Sequence, residues 1–271
     1  MRIGAWVYLL IPVVLFGQVH ISLNIALLAW AIFVVIGASM IFYKLRSFYK
    51  IENFLVVPSF GEYKNQISLS TPFFLSGLFL LSIEILGRIS LQIVDFQIEA
   101  GVYTFYAGFV FAIPLFVWSA SISIDHPKIL TAFENNNLKE SDRLVLIMIK
   151  RSLIICLSLV LLLFFGFEIL LEIINKDVYL SYINSFFLFL LVPFVHVIDS
   201  HIYYMLYVRG MDKEIALSSV IGLLSLIVFQ IFTLSKLGMV SVVLSIIIAL
   251  IFSICIKLLF IYKNKATQCL V

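Results

Sequence analysis

The chain is 271 residues long, 63% apolar and only 12% charged, with a mean hydropathy of +1.16. A water-soluble domain carries about 25% charged residues, so this composition excludes a soluble globular protein and predicts a surface that faces lipid. A net charge of +3 does not make it a nucleic-acid binder, because the basic residues form no patch and fall between apolar runs, where membrane topology places them.

Taken in chain order, the apolar runs are 3–17, 21–43, 71–94, 101–124, 144–170, 179–207, 215–235 and 239–262. Lipid leaves only helices or closed barrels. These runs are too long and too continuously apolar for barrel strands of about ten alternating residues. The expected fold is therefore all-α, a polytopic helix bundle with eight spans. Arg2 and the following apolar stretch suggest a signal peptide, but Leu15 and Gly17 make a poor cleavage site. The stretch reads as an uncleaved first span, turning into the second at Gln18, His20 and Asn24.

The joint 44–70 follows. Phe60, Tyr63 and Ile67 lie on one face of an expected interfacial helix, and Ser70-Thr71-Pro72 reads as the start of the third span. The later joint "DHPKILTAFENNNLKESDRL" predicts a short helix after Pro127, a break at Asn135-Asn136-Asn137 and a restart near Ser141-Asp142. Pro114 and Pro193 fall inside spans and predict kinks. Of eighteen basic residues, fifteen lie on the side of 44–70 and only Lys176 and Lys236 on the other, with Arg88 inside a span. That asymmetry predicts a cytoplasmic 44–70 and both termini cytoplasmic.

Charged groups inside spans are costly in lipid and so point to function. In "IEILGRISLQIVDFQIEAG" (83–101), Glu84, Arg88, Gln92 and Asp95 fall on one side of a helix, with Gly77. Two readings stand: a self-neutralising Glu84–Arg88 pair, or the polar wall of a water-filled cavity. Asp95 and Glu99 are read as solvated at the outer joint. A second cluster is "PFVHVIDSHIYYMLYVRG", where His196, Asp199, Ser200, Tyr203 and Tyr207 share a face and His201 points elsewhere. It reads either as a proton or cation site, with His196, Asp199 and Tyr203 as its members, or as an interhelical hydrogen-bond cluster.

Four histidines and no paired cysteines argue against zinc. No disulfide framework is visible either: Cys156 and Cys255 lie in apolar runs and Cys269 near the end. The sequence has no phosphate loop, nucleophile elbow or metalloprotease helix. Asp125, Glu134, Glu140 and Asp142 are scattered among lysines, unlike the clustered carboxylates of membrane transferases. No enzyme, cofactor or metal is expected.

From about residue 60 onward the chain resembles the C-terminal half of lipid-linked oligosaccharide flippases. These are the O-antigen (Wzx-type) branch of the multidrug/oligosaccharidyl-lipid/polysaccharide exporter superfamily. The stretch "GRISLQIVDFQIEAGVYTFYAGF" carries the likeness: Arg88, Glu99, Gly101 and Tyr103 fit, whereas Gly87 stands where the family usually has Asp. The stretch "YVRGMDKEIALSSVIGLLSLIVFQIFTLSKLGMVSVV" is similar to the closing helix pair.

The resemblance implies a MATE-like six-helix C-terminal lobe at 71–271, a cytoplasmic linker at 51–70, and two preceding helices within 1–50 equivalent to spans five and six. It implies alternating access in the bacterial inner membrane, moving an undecaprenyl-pyrophosphate-linked oligosaccharide and coupled to protons or sodium. Arg88, Glu84 and Gln92 would line the cavity and Arg88 would meet the pyrophosphate; other polysaccharide-assembly membrane proteins would be partners. With spans one to four expected to be missing, the alternatives are a non-transporting membrane partner or remnant, and a polysaccharide polymerase or other envelope enzyme. A polymerase would be expected to show a large outer loop, and the longest here is about eight residues.

Overall fold

The computed structural model describes residues 59–135, 137–174 and 177–268, together with Val35, Ser39 and Tyr43. The expected spans at 3–17 and 21–43 otherwise lie outside the described residues, as does Cys269. The chain divides into two units, Met1–Tyr63 and Lys64–Val271. The helix bundle belongs to the second, whose first helix begins a few residues before the boundary.

All regular structure among the described residues is helical, and six helices are long and apolar enough to cross a membrane. The first, α1 (Phe60–Ile93), starts ten residues before the expected Ser70-Thr71-Pro72 signal. Its start is a capping box: the Ser59 amide donates to the Glu62 carboxylate at 2.6 Å, and the Glu62 amide returns a longer bond to the Ser59 hydroxyl. Pro72 therefore sits inside the helix rather than at its first turn. It removes only one backbone bond, to a carbonyl on an exposed stretch.

The second span is interrupted, as its proline suggests. It runs as α2 (Gln97–Val110), a turn at Phe111, α3 (Ala112–Val117) around Pro114, a π-helical turn Trp118–Ile122, and α4 (Ser123–Glu134). The asparagine break falls where expected, but the helix before it starts at Ser123 with Pro127 inside it, and the helix after it starts at Leu138, ahead of Ser141-Asp142. After the break, α5 (Leu138–Ile174) starts with the Asn137 side chain accepting the Glu140 amide at 3.2 Å, an N-cap bond. A short turn α6 (Asp177–Leu180) leads to the fourth span, α7 (Ile183–Phe189) and α8 (Val192–Val208), separated by a turn just before Pro193. Then come α9 (Asp212–Leu237) and α10 (Met239–Gln268), joined through Gly238 at φ +51°.

The helices are not equally enclosed. In the most apolar stretches of α1 and of α5, only 17% of residues are buried; in α7–α8 and in α10 the share is 50%. α10 is the axis of the bundle, packed on α9 and α8 and touching α7 and α2. Between lipid-soluble helices there is little hydrophobic drive, so close fit decides association. Gly87 and Gly222 supply that fit. A Cβ on Gly87 would lie 2.7 Å from the Tyr103 ring and also collide with Val242; one on Gly222 would lie 2.7 Å from Phe79. Ser90 on α1 donates to Gln230 on α9 at 2.7 Å, and Gln230 donates to Ser245 on α10 at 3.0 Å. Around Tyr103, Tyr106, Phe167, Phe186 and Phe189 the core is aromatic, with the Phe167 and Phe186 rings stacked 3.7 Å apart.

Candidate functional site: two polar regions of the bundle

The buried region is built by α8 and α10. Asp199 and Tyr203 are one turn apart on α8; Ser253 and Lys257 are one turn apart on α10. The Lys257 ammonium donates to both carboxylate oxygens of Asp199, at 2.7 and 2.8 Å, and the Ser253 hydroxyl donates to one of them at 2.9 Å. The Lys257 nitrogen also lies 5.8 Å from the centre of the Tyr203 ring, within cation–π range. Asp199 is 4% exposed and Lys257 1%. A charge pair so enclosed survives only because each member satisfies the other.

His196, expected to work with Asp199, is half-buried one turn earlier, and Ser200 lies 3.4 Å from its ring and donates to its backbone carbonyl. No hydrogen bond joins His196 to Asp199 among the described residues. His201 does point elsewhere: it is buried, 2.6 Å from the Val197 carbonyl and 2.9 Å from the Ser152 hydroxyl, tying α8 to α5. Lys257 is the residue that sequence reasoning misses, because its place near the chain's end groups it with the cytoplasmic charges. The available signal is that Lys257 is the only charged residue in the run 239–262.

A second pairing is equally hidden in the sequence. Asp125, scattered among lysines by sequence position, is buried and bonds Arg151 at 2.8 Å, with Lys128 at 3.6 Å. It sits just beyond the π-helical turn, whose Trp118 donates to the Tyr204 hydroxyl at 2.7 Å; the neighbouring His126 ring lies 4.8 Å from that of Tyr204. Glu99 also departs from the solvated role expected of it. Half-buried, it accepts the Met239 amide at the start of α10, where the helix dipole favours a carboxylate. The positive φ of Gly238 turns that amide toward it.

The exposed region is the flank of α1. Its buried face is Ser76, Phe79, Ile83, Gly87 and Leu91. Glu84, Arg88 and Gln92 each follow a buried residue by one position, so they stand about 100° around the helix from the core. Arg88 and Gln92 are exposed and Glu84 is half-buried. Among the described residues Arg88 enters no ion pair. The packing also accounts for Gly87: an aspartate there would drive into Tyr103 and Val242.

These features define a polytopic helical membrane protein with charges both in its core and on its flank. No family model matches the chain, and no curated protein or solved structure matches it significantly.

Proposed function

We propose that the chain forms the C-terminal lobe, with two preceding helices, of a MATE-like flippase. It would move an undecaprenyl-pyrophosphate-linked oligosaccharide across the bacterial inner membrane by alternating access, with both termini cytoplasmic. The observation that carries the proposal is the stripe of half-buried Glu84 and exposed Arg88 and Gln92 in the apolar part of α1, where other exposed residues such as Leu78 and Ile89 are apolar. A guanidinium facing hydrocarbon is costly, so this flank suits a wet, partly cationic cavity. A headgroup with a pyrophosphate needs such a cavity, while its lipid tail can stay in the bilayer. The arginine fork matches phosphate oxygens two at a time. Glu84 and Gln92, one turn to either side, would contact the sugars or balance the charge. The buried Asp199 cluster, with His196 and Tyr203, is the proposed place where an ion gradient would act.

The test is transport of a fluorescent undecaprenyl-pyrophosphate oligosaccharide in proteoliposomes. Arg88→Ala should slow it by about tenfold or more, as losing a charge-assisted bond implies, and Arg88→Lys should keep part of the rate. Recovery of the full rate in Glu84→Ala/Arg88→Ala would reduce the two residues to a structural pair and overturn the substrate role.

A further inference from the structure

The carboxylate of Asp199 already has a cation, and that cation belongs to the protein. Both carboxylate oxygens face one enclosed spot, the Ser253 hydroxyl steadies the carboxylate by donating to one of them, and the face of Tyr203 lies nearby. A carboxylate presenting both oxygens and an aromatic face are groups that hold a small monovalent cation. Here the Lys257 ammonium fills the place, tethered one turn beyond Ser253 on α10.

We propose that this is a monovalent-cation site occupied permanently by Lys257, so that no free sodium binds at Asp199 in the native chain. An incoming ion would have to expel a 1%-exposed ammonium from a site where it bonds both oxygens. Around it are apolar helices, and beyond them lipid, both of which penalise a displaced charge. The tether has a second consequence. The cation stays tethered to α10 wherever it goes, so sodium concentration does not set the occupancy of the site. The inference narrows the coupling ion left open by the transport reading, yet it rests on the geometry of the pair and not on the cargo.

The experiment is thermal unfolding of the full chain in detergent, in sodium chloride and in choline chloride at equal ionic strength. The native protein should melt at the same temperature in both. Lys257→Ala should melt lower in choline and regain about 5 °C in saturating sodium, as the vacated site takes a free ion. Asp199→Asn/Lys257→Ala should show no sodium response. A sodium-specific rise in the native protein that Asp199→Asn abolishes would overturn the proposal. So would a Lys257→Ala chain that sodium does not stabilise, or that fails to fold in sodium while the double variant folds. No arm uses an oligosaccharide, so these results and those of the transport assay can fail separately.

Discussion

The flank of α1 and the α8–α10 interface carry the same kinds of charge and treat them in opposite ways. At the interface Asp199 and Lys257 are enclosed, bonded to each other and backed by Ser253. On the flank Arg88 is exposed and, among the described residues, in no ion pair. A membrane protein can tolerate a charge by neutralising it in the core or by turning it toward water or another protein surface. The first solution stabilises the fold; the second leaves a group available to a ligand. Mutations should therefore separate the two regions cleanly: large losses of stability at the interface, and losses of transport with little loss of stability on the flank.

The largest effect expected is from Lys257→Met. It strands the Asp199 carboxylate in the core, and breaking a buried pair in this way costs about 3–5 kcal/mol. Asp199→Asn/Lys257→Met should recover most of that loss in the same unfolding measurement, because a neutral pair of similar volume needs no counter-charge. A double variant as unstable as the single would mean that the interface depends on more than charge neutralisation.

Gly87→Ala comes next. Its added methyl meets Tyr103 and Val242, and overpacking of this kind costs about 1–3 kcal/mol. The variant bears on the comparison because position 87 faces the core and position 88 the outside. Arg88→Ala, one residue on, should shift stability by less than about 0.5 kcal/mol, the usual range for exposed substitutions. Equal destabilisation by the two would show that Arg88 is structural.

Much of this bundle is legible in the sequence because the bilayer imposes local rules. The third to eighth apolar runs coincide with the six span-length helices, and Pro114, Pro193 and the Asn135–Asn137 break each mark an interruption. The start of α1 is also local, yet Ser70-Thr71-Pro72 draws the eye away from it. The Ser59-x-x-Glu62 capping box that sets it lies before the apolar run, where hydropathy gives no prompt. Of the polar sites, the arc of Glu84, Arg88 and Gln92 follows from helical spacing alone. What escapes are pairings across long sequence separations: Asp199 with Lys257, Asp125 with Arg151, Glu99 with the α10 amide. Helical periodicity says which side of a helix a residue occupies and nothing about which helix meets that side. Gly87 shows the same limit, since its need to be small comes from Tyr103 and Val242 on two other helices.

If the Arg88 flank of α1 lines a wet cavity, it faces water while the neighbouring apolar strip faces lipid. The most direct measurement is labelling by a membrane-impermeant maleimide in intact membranes, in a background without Cys156, Cys255 and Cys269. Arg88→Cys and Gln92→Cys should react readily, and Leu78→Cys and Ile89→Cys, further round the helix and also exposed in the bundle, should not. An Arg88→Cys thiol as unreactive as the one at position 89 would mean that the flank faces lipid and not a wet cavity.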